Sequence, residues 1–404
     1  MKIIRVMLAV ALLLTALLSW AGEPRGWRGD GTGEYPAANP PTEWAKDKNV
    51  VWSTPIAQWS NSSPILVGDK LFVCAEPNSL LCLGAADGKI IWQKSNGPTD
   101  LATAEEQQMK VPSWHPEMGG SVQTPVSDGV HVWALFASGI ATCFTVDGER
   151  VWTKQLRVPT RSAWGFDASP VLADGKLIIA YGDIIAYDPL TGAQLWQAKS
   201  APHWGSPVLT KIGDVSVLVT TNGEIIRISD GIVLATGLCA PEHSSPIVHN
   251  GVVYAMRSGT ETDMISAWQL PAKVENDAVV VNKLWDCTVP KQRYYASPLF
   301  YDGNVYVVNQ AGMLSAINAT TGQSLNKWPA KLQNMGGGTY YPSPVSAGKY
   351  VYVSSGSTVL VLDPAKDFAE IARNPIDGTF RSNLIFAGER MYVRSLTGMI
   401  CIGK

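Results

Sequence analysis

Short apolar runs separated by polar turns recur along the whole chain in one fixed arrangement. A Ser-Pro or Thr-Pro pair is followed by a few apolar residues, a turn containing Gly, Asp or Asn, and a second apolar run, as in SSPILVGDKLFVC. Apolar runs of this length between turn residues are typical of β-strands. Copies begin at Ser63, Thr124, Ser169, Ser206, Ser245, Ser297 and Ser343, and an eighth copy, which lacks the proline, begins at Ser382.

The spacing of these copies predicts the architecture. Successive copies begin 61, 45, 37, 39, 52, 46 and 39 residues apart, and most of these spacings are close to the roughly 40–50 residues of a four-stranded propeller blade. Each copy supplies four strands. The proline opens the first strand, where a missing N–H is tolerated, and the fourth strand usually ends in Trp. The chain is therefore predicted to be all-β, with four-stranded antiparallel blades in a propeller.

The two ends of the repeat region predict how the ring closes. The eighth copy stops at GMICIGK, after its third strand, whereas the segment NVVWSTP at residues 49–55 resembles a fourth strand without a blade of its own. Pairing the two completes an eighth blade and removes the open sheet edges of a linear array. We therefore predict an eight-bladed β-propeller closed by an N-terminal strand, Val50 to Ser53. A seven-bladed ring is the alternative, because copies four and seven lack the strand-four Trp.

The residues before the repeats predict export. Residues 1–21 combine a positive start, an apolar run at residues 6–18 and the small-x-small sequence Ser-Trp-Ala, which together indicate a signal peptide cleaved near Ala21. No cysteine follows the apolar run, so we expect no lipid anchor and a periplasmic or secreted protein. Residues 22–48, rich in Gly and Pro, form an N-terminal arm that we expect to wrap the outside of the ring. Residues 49–404 form the propeller.

Composition narrows the choice of partner. Charged residues are 16% of the chain and the net charge is −2, without a basic or acidic block. Nucleic acid and anionic membrane surfaces are therefore poor candidates, and a monomer is expected. The six cysteines include no Cys-x-x-Cys pattern, so we predict no metal site. Cys74 and Cys82 form either a disulfide across a hairpin or buried free thiols, and the sequence leaves both open.

One stretch, AYDPLTGAQLW at Ala186–Trp196, contains all the residues that recur between the third and fourth strands of a blade, namely an Asp, a Gly and a Trp. Asp188 can accept hydrogen bonds from the following turn, and Gly192 can adopt a positive φ. The indole at the end of strand four can cover the seam between blades and donate its N–H to a backbone acceptor. Because the feature repeats around the ring, we interpret these tryptophans as structural and not as cofactor contacts. They are called the clasp tryptophans below: Trp52, Trp92, Trp152, Trp196, Trp285 and Trp328.

The fixed positions of that stretch, A-x-D-x-x-T-G-x-x-x-W, resemble the repeat signature of the pyrroloquinoline-quinone-like, or quinoprotein-type, β-propeller repeat family, which includes the exported BamB-like propellers. The resemblance covers residues 49–404, and the arm sequence GWRGDGTGEYPAANPPTEW resembles the same exported proteins. It implies an eight-bladed propeller but no activity. The quinoprotein alcohol dehydrogenases of this group use a vicinal disulfide, a calcium ion and a catalytic Asp. This sequence has no adjacent cysteines, so none of those roles is carried over to its residues.

A candidate site follows from chain geometry. Residues just before each Ser-Pro pair lead into the innermost strand, so they are expected to ring one mouth of the central channel. Aromatic side chains beside His, Arg and Asp favour a pocket for a sugar, a peptide or a flat ligand, although they could also simply fill a narrow channel. The candidate ligand-binding residues are Trp59, Asn61, Trp164, Asp167, His203, Trp204, His243, Arg293, Tyr294, Tyr340 and Arg381.

Three functions remain after these observations. The first is an exported, non-enzymatic propeller that binds a protein, peptide or glycan at the aromatic mouth, or acts as a scaffold, without a cofactor. The second is a periplasmic oxidoreductase that uses pyrroloquinoline quinone with calcium. The third is a BamB-type outer-membrane protein assembly factor. The sequence carries no Gly-rich phosphate loop and no Gly-x-Ser-x-Gly elbow, and no catalytic residue is assigned.

Overall fold

The computed structural model describes residues 26–157, 164–201, 204–239, 243–325, 329–333, 335 and 339–404. The predicted signal peptide, His203 and Trp328 lie outside the described residues. Within these ranges no helix is long and apolar enough to cross a membrane.

Eight antiparallel blades form the ring. Two N-terminal strands add to the last two blades, one to blade 7 and one to blade 8. The N-terminal strands are β1 (Glu34–Tyr35) and β2 (Val50–Pro55). Blade 1 contains β3 (Ile65–Val67), β4 (Lys70–Ala75), β5 (Ser79–Gly84) and β6 (Ile90–Ser95). Blade 2 contains β7 (Val126–Ser127), β8 (His131–Leu135), β9 (Ile140–Thr145) and β10 (Arg150–Gln155). Blade 3 contains β11 (Val171–Ala173), β12 (Lys176–Ala180), β13 (Ile184–Tyr187) and β14 (Gln194–Ala198). Blade 4 contains β15 (Val208–Ile212), β16 (Val215–Val219), β17 (Ile225–Arg227) and β18 (Val233–Ala235).

The second half of the ring continues in the same order. Blade 5 contains β19 (Ile247–His249), β20 (Val252–Arg257), β21 (Asp263–Gln269) and β22 (Asn282–Val289). Blade 6 contains β23 (Leu299–Tyr301), β24 (Asn304–Val308), β25 (Met313–Asn318) and β26 (Ala330–Lys331). Blade 7 contains β27 (Val345–Ala347), β28 (Tyr350–Ser355), β29 (Thr358–Asp363) and β30 (Ala369–Pro375). Blade 8 contains β31 (Ile385–Ala387), β32 (Arg390–Ser395) and β33 (Gly398–Ile402). Short helices occur at Ala104–Gln108 (α1) and, as 3-10 turns, at Pro98–Asp100 and Pro364–Lys366.

The predicted closure is confirmed. Strand β2 pairs antiparallel with β33, so that Trp52 faces Cys401 and Ser53 faces Ile400 across the ladder. Copies four and seven each form a sheet of their own, which excludes the seven-bladed alternative. The beginning and the end of the chain therefore share blade 8, and its outermost strand comes from the N-terminal side.

The apolar core is divided into eight layers, one between each pair of neighbouring blades. Between blades 3 and 4, for example, Ile178 and Ile184 pack against Leu218 and Ile226, all of them fully buried. Equivalent layers fill the other seven seams, including the one between blades 8 and 1. Successive side chains of each continuous apolar run point to opposite faces of the sheet, and both faces of a blade are buried because each face has a neighbouring blade.

A belt of hydrogen bonds joins the innermost strands. At seven of the eight junctions the backbone N–H of the residue at the Ser-Pro position donates to the side-chain oxygen of the equivalent residue in the next blade, over 2.8–3.0 Å. The register places Asn383, and not Ser382, in the eighth serine position, because Ile385 begins β31 as Ile65 begins β3. The repeat pattern in the sequence predicts that position at Ser382, one residue too early. The serine of each Ser-Pro pair therefore connects neighbouring blades through hydrogen bonds, and this role is separate from that of the proline.

The N-terminal arm enters the channel, which corrects the expectation that it wraps the outside of the ring. Gly26 and Gly29 exchange backbone hydrogen bonds to form a tight turn whose tip is Trp27 and Arg28. The buried Arg28 guanidinium donates to the carbonyls of Pro298 and Pro344, over 2.8 and 2.9 Å, at the innermost strands of blades 6 and 7. A buried charge requires such partners, and the innermost strands of the ring supply them. Burial lowers the pKa of Arg28 to about 10.

From the channel the arm passes outward along blade 7. Strand β1 pairs parallel with β27, and the buried Trp44 then donates its indole N–H to the carbonyl of Pro375, at the outermost strand of the same blade. Gly33 is required on this path, because a Cβ atom there would lie 2.4 Å from the Arg28 guanidinium. The arm therefore connects the inside of the ring to its outer edge.

The six cysteines are buried and free. The register pairs Cys74 with Leu80 and Cys82 with Phe72, so the two thiols do not face each other across the hairpin. Of the two states left open by the sequence, the structure shows the buried free thiols. Burial raises the pKa of both Cys74 and Cys82 to about 12.

Candidate functional site

The mouth of the channel on the Ser-Pro side is a concave cavity of about 380 Å³. The serine belt forms its lower wall, and the segments that lead into the innermost strands form its rim. We call it the mouth cavity. Besides the belt, the side chains that line it include Trp27, Asn61, Glu117, Met118, Trp164, Asp167, Trp204, His243, Arg293, Tyr295, Tyr341 and Arg381.

A row of contacting side chains, four of them rings, follows the rim from blade 4 to blade 8. Trp204 stacks on His243 with centroids 4.5 Å apart, and His243 lies 4.7 Å from Tyr295. Tyr295 is in turn 4.9 Å from Tyr341, and the Arg381 guanidinium lies 5.0 Å above the Tyr341 ring. These five residues, one from the entrance of each of five successive blades, are called the aromatic arc. They offer a continuous surface with apolar ring faces and polar edges.

The long loop between blades 1 and 2 covers the other side of the mouth. Its His115 stacks on Trp164 with centroids 3.8 Å apart. The backbone carbonyl of Glu117 accepts a hydrogen bond from Arg381 over 2.8 Å, and the carbonyl of Met118 accepts one from Asn61 over 2.7 Å. The loop is thus tied to blades 1, 3 and 8, and it narrows the entrance to the cavity.

Asp167 carries the unusual electrostatic feature of the cavity. Its side chain is half-buried and lines the cavity, while its Oδ1 atom is enclosed and has no hydrogen-bond partner. Desolvation of the carboxyl group raises its pKa well above the usual range. Most buried carboxylates are paired or hydrogen-bonded. The ionised form of Asp167 lacks such a partner at Oδ1 and is therefore destabilised at its position beside the cavity.

The structure places seven of the predicted site residues on the cavity: Asn61, Trp164, Asp167, Trp204, His243, Arg293 and Arg381. Ligand binding by these residues stays a prediction.

Three other predicted residues do not line the cavity. Tyr294 is buried and donates to the carbonyl of Pro290, Tyr340 is buried against Gly312, and the Trp59 ring lies against Gly119. Successive residues of an extended segment point to opposite sides, so the neighbours Tyr295 and Tyr341 face the cavity instead.

The five clasp tryptophans that lie among the described residues contact the following blade. Trp196, at the end of β14, donates its indole N–H to the carbonyl of Ile228 in blade 4 over 2.9 Å, and its ring covers Gly231 of the same blade. The equivalent donors and acceptors are Trp52 to Ala85, Trp92 to Val146, Trp152 to Pro189 and Trp285 to Ala319. A β-bulge in the ladder next to the tryptophan recurs in these blades, and a bulge re-aims the side chain that follows it.

Comparison with known proteins agrees with this geometry. The family model described as outer membrane protein assembly factor BamB matches residues 42–180 and, a second time, residues 180–328. The chain belongs to this family. The two adjacent matches correspond to blades 1 to 3 and blades 3 to 6, so the family repeat continues through most of the ring.

Individual relatives are distant in sequence but similar in extent. BamB of Yersinia pestis is 21% identical over 328 residues, which is 76% of this chain and 75% of the relative. The crystal structure of BamB from Moraxella catarrhalis has a TM-score of 0.62 at 17% identity and covers 88% of this chain and 97% of that one, which supports the fold. The quinohemoprotein alcohol dehydrogenase ADH-IIG of Pseudomonas putida is 24% identical over 210 residues, 47% of this chain but 27% of the enzyme.

Two features of such enzymes can be compared with this chain. Among the described residues no three His, Cys, Asp or Glu side chains form a cluster that could hold a metal ion. No two cysteines are adjacent in the sequence, so the chain has no vicinal disulfide.

Trp27 is a cavity residue from outside the repeats that sequence reasoning missed. It lies on the arm tip and lines both the mouth cavity and a second cavity of about 600 Å³ beneath it, between the arm and the innermost strands of blades 3 and 4. Nothing in the local pattern of the arm indicates this position, because it depends on the contacts of Arg28 with blades 6 and 7.

Proposed function

We propose that this BamB-family propeller is exported, has no enzymatic role, and binds an extended segment of a partner protein at the mouth cavity. The aromatic arc supports the proposal most directly, because it presents ring faces and polar edges along a concave surface. Tyr and Trp side chains in such positions contribute contact area at low conformational cost. The arm tip beneath the cavity gives it a floor, so that a bound segment would lie across the mouth and not pass through the ring.

A peptide-binding titration tests this proposal. Mature protein, residues 22–404, is titrated with pools of acetylated and amidated hexapeptides, and binding is followed by tryptophan fluorescence because three indoles line the cavity. Tyr341→Ala should weaken binding of the pools about tenfold. Tyr350→Ala, at the start of β28 on the far side of blade 7, is the matched control and should leave binding unchanged. Equal effects of the two variants, or no binding to any pool, would contradict the proposal. Binding of oligosaccharides in place of peptides would assign the cavity to a glycan.

The family description favours a second, more specific role in outer-membrane protein assembly. Under this role the bound segment comes from an outer-membrane protein or from a component that assembles such proteins. Deletion of the coding sequence in the native host should then lower the amount of folded outer-membrane proteins, measured by heat-modifiable mobility on gels. A deletion strain with normal levels would argue against assembly while leaving peptide binding to be judged by the titration.

The quinone-dependent alternative is tested in the same preparation. Addition of pyrroloquinoline quinone with calcium should produce neither a bound chromophore nor dye-linked alcohol oxidation if the first proposal is right. Stoichiometric quinone binding with turnover would replace it.

A further inference from the structure

The carboxyl group of Asp167 lies in the mouth cavity without the partners that a buried acid normally has. Its Oδ1 atom is enclosed and unpaired, while the residue keeps part of its surface toward the cavity. A ligand in the cavity would meet the carboxyl group on the side where the residue keeps its exposed surface, and it would interact with the whole carboxylate because the two oxygens share the charge. Unpaired polar groups of this kind are rare in folded proteins, and their position in a cavity points to recognition.

Three tryptophans stand on the same side of the cavity. Trp164 precedes Asp167 by three residues, and Trp204 occupies the entrance of the next blade. Trp27 lines the mouth cavity and also the lower cavity, together with the innermost strands of the same two blades. Trp164 is 47% exposed although it stacks on His115. Indole faces attract cations, and the attraction is stronger where water is partly excluded.

The positive side chains of the cavity lie elsewhere. Arg293 and Arg381 precede blades 6 and 8. In a ring of eight blades these two positions flank blade 7, which is opposite blade 3. The acid and the two guanidinium groups therefore occupy opposite sides of the mouth, and a cation at Asp167 is remote from them. Of the remaining charged lining residues, Glu117 is exposed on the covering loop.

We propose that Asp167, with Trp27, Trp164 and Trp204, forms a recognition site for a cationic side chain, lysine or arginine, of the bound protein segment. The inference rests on the proposed function and adds the chemistry that the cavity selects. A cation restores the missing partner of the carboxyl group, and the indoles contact the methylene groups and the charge. Charge-assisted hydrogen bonds are about twice as strong as neutral ones, so this contact discriminates between segments that otherwise fill the cavity equally.

Binding of a cation should also be linked to pH. Because desolvation raises the pKa of Asp167, a cation that binds the carboxylate displaces its proton, and the preference for a cation falls as the pH is lowered. The other titratable groups that line the cavity, and whose titration has to be separated from that of Asp167, are Glu117, His243, Arg293, Tyr295, Tyr341 and Arg381. Asp167→Asn isolates the linkage, since it removes the titrating group and keeps the shape.

The test uses hexapeptide pools that differ at one fixed position, which is lysine, norleucine (a lysine side chain without the ε-ammonium group) or Nε-acetyl-lysine. Mature wild-type protein should bind the lysine pool about tenfold more tightly than the norleucine pool. Asp167→Asn should reduce that ratio to less than twofold without weakening the norleucine pool. The matched control Asp69→Asn, on an exposed turn of blade 1, should keep the tenfold ratio.

The outcomes separate this inference from the proposed function. If the pools bind in a Tyr341-dependent manner but show no lysine preference, or if Asp167→Asn keeps the preference, the cation site is wrong and segment binding at the mouth stands. If no pool binds, both proposals fail. Circular dichroism and thermal melting of each variant establish that a lost preference does not reflect unfolding.

Discussion

The contact between Trp196 and Gly231 gives a quantitative test of how neighbouring blades are joined. The indole is half-buried, and complete burial of a Trp is worth about 3–5 kcal/mol against Ala, so its packing should contribute about half of that. Its hydrogen bond to Ile228 adds about 1 kcal/mol. Trp196→Ala should therefore lower the free energy of unfolding by about 3 kcal/mol.

The glycine opposite the ring is constrained in two ways. Its φ is +79°, which costs a non-glycine residue about 1–2 kcal/mol. In addition, a Cβ atom at Gly231 would lie 2.6 Å from the Trp196 ring, and such overpacking costs about 1–3 kcal/mol. Gly231→Ala should thus destabilise by about 2–5 kcal/mol. Gly175→Ala in blade 3 is the matched control, because its φ is +67° but nothing lies within 4 Å of the added Cβ.

The double variant is the decisive measurement. Once Trp196 is Ala, the overpacking at position 231 disappears, so the double variant should be about 1–3 kcal/mol more stable than the sum of the single effects predicts. The free energies come from urea unfolding, with equal m-values required for the comparison. Additive effects within about 0.5 kcal/mol would show that the indole does not rest on the next blade.

Three further predictions concern the belt, the thiols and the buried acid. Ser206→Ala leaves the N–H of Ser169 without its acceptor and should cost about 1–3 kcal/mol, whereas the exposed Ser113→Ala should change the unfolding free energy by less than about 0.5 kcal/mol. The six buried thiols should resist iodoacetamide in native protein at pH 8, because burial raises their pKa, and all six should react in denaturant; labelling of a native thiol would contradict their burial. The raised pKa of Asp167 means that the folded state binds the proton more tightly than the unfolded state, so stability falls as the pH rises from the unfolded value through the folded one. Asp167→Asn should therefore raise the melting temperature at pH 7–8, and this gain should vanish in acid; an unchanged or lower melting temperature at neutral pH would refute the assignment.

The ring and its closure could be predicted because they depend on local patterns that repeat. The apolar runs indicate where the strands lie. The last strand, Gly398–Ile402, needs a neighbouring fourth strand to complete its blade, and the segment Val50–Pro55 resembles such a strand. The clasp positions could be predicted for the same reason. The sequence did not show that the five described clasp indoles contact a glycine of the next blade and not the glycine of their own.

The composition of the mouth could be predicted in outline but not residue by residue. The segments before the innermost strands have no regular strand geometry, so the choice between Tyr294 and Tyr295, or between Tyr340 and Tyr341, depends on which side of the chain is already packed. A shift of one residue along an extended segment turns a side chain to the opposite side. The sequence of these segments carries no signal that determines which of their residues face the cavity.

The arm and the belt depend on contacts between distant parts of the chain. Arg28 reaches carbonyls 270 and 316 residues away, and no periodic pattern in the arm indicates such a contact. The hydrogen bonds of the belt were not predicted from the sequence. The proline next to the serine is sufficient to explain the Ser-Pro pair as the start of a strand, so the pair did not indicate a second role for the serine. Both features become visible only when neighbouring blades are seen together.

Photo-crosslinking of a bound peptide is the most direct test of the account. A hexapeptide selected from the pools and carrying benzoyl-phenylalanine is irradiated with mature protein, and the adducts are located by mass spectrometry. Binding at the mouth predicts adducts on Trp164, Trp204, Tyr295 and Tyr341. Adducts confined to the outer strands of the blades, or to the turns on the far side of the ring, would contradict it.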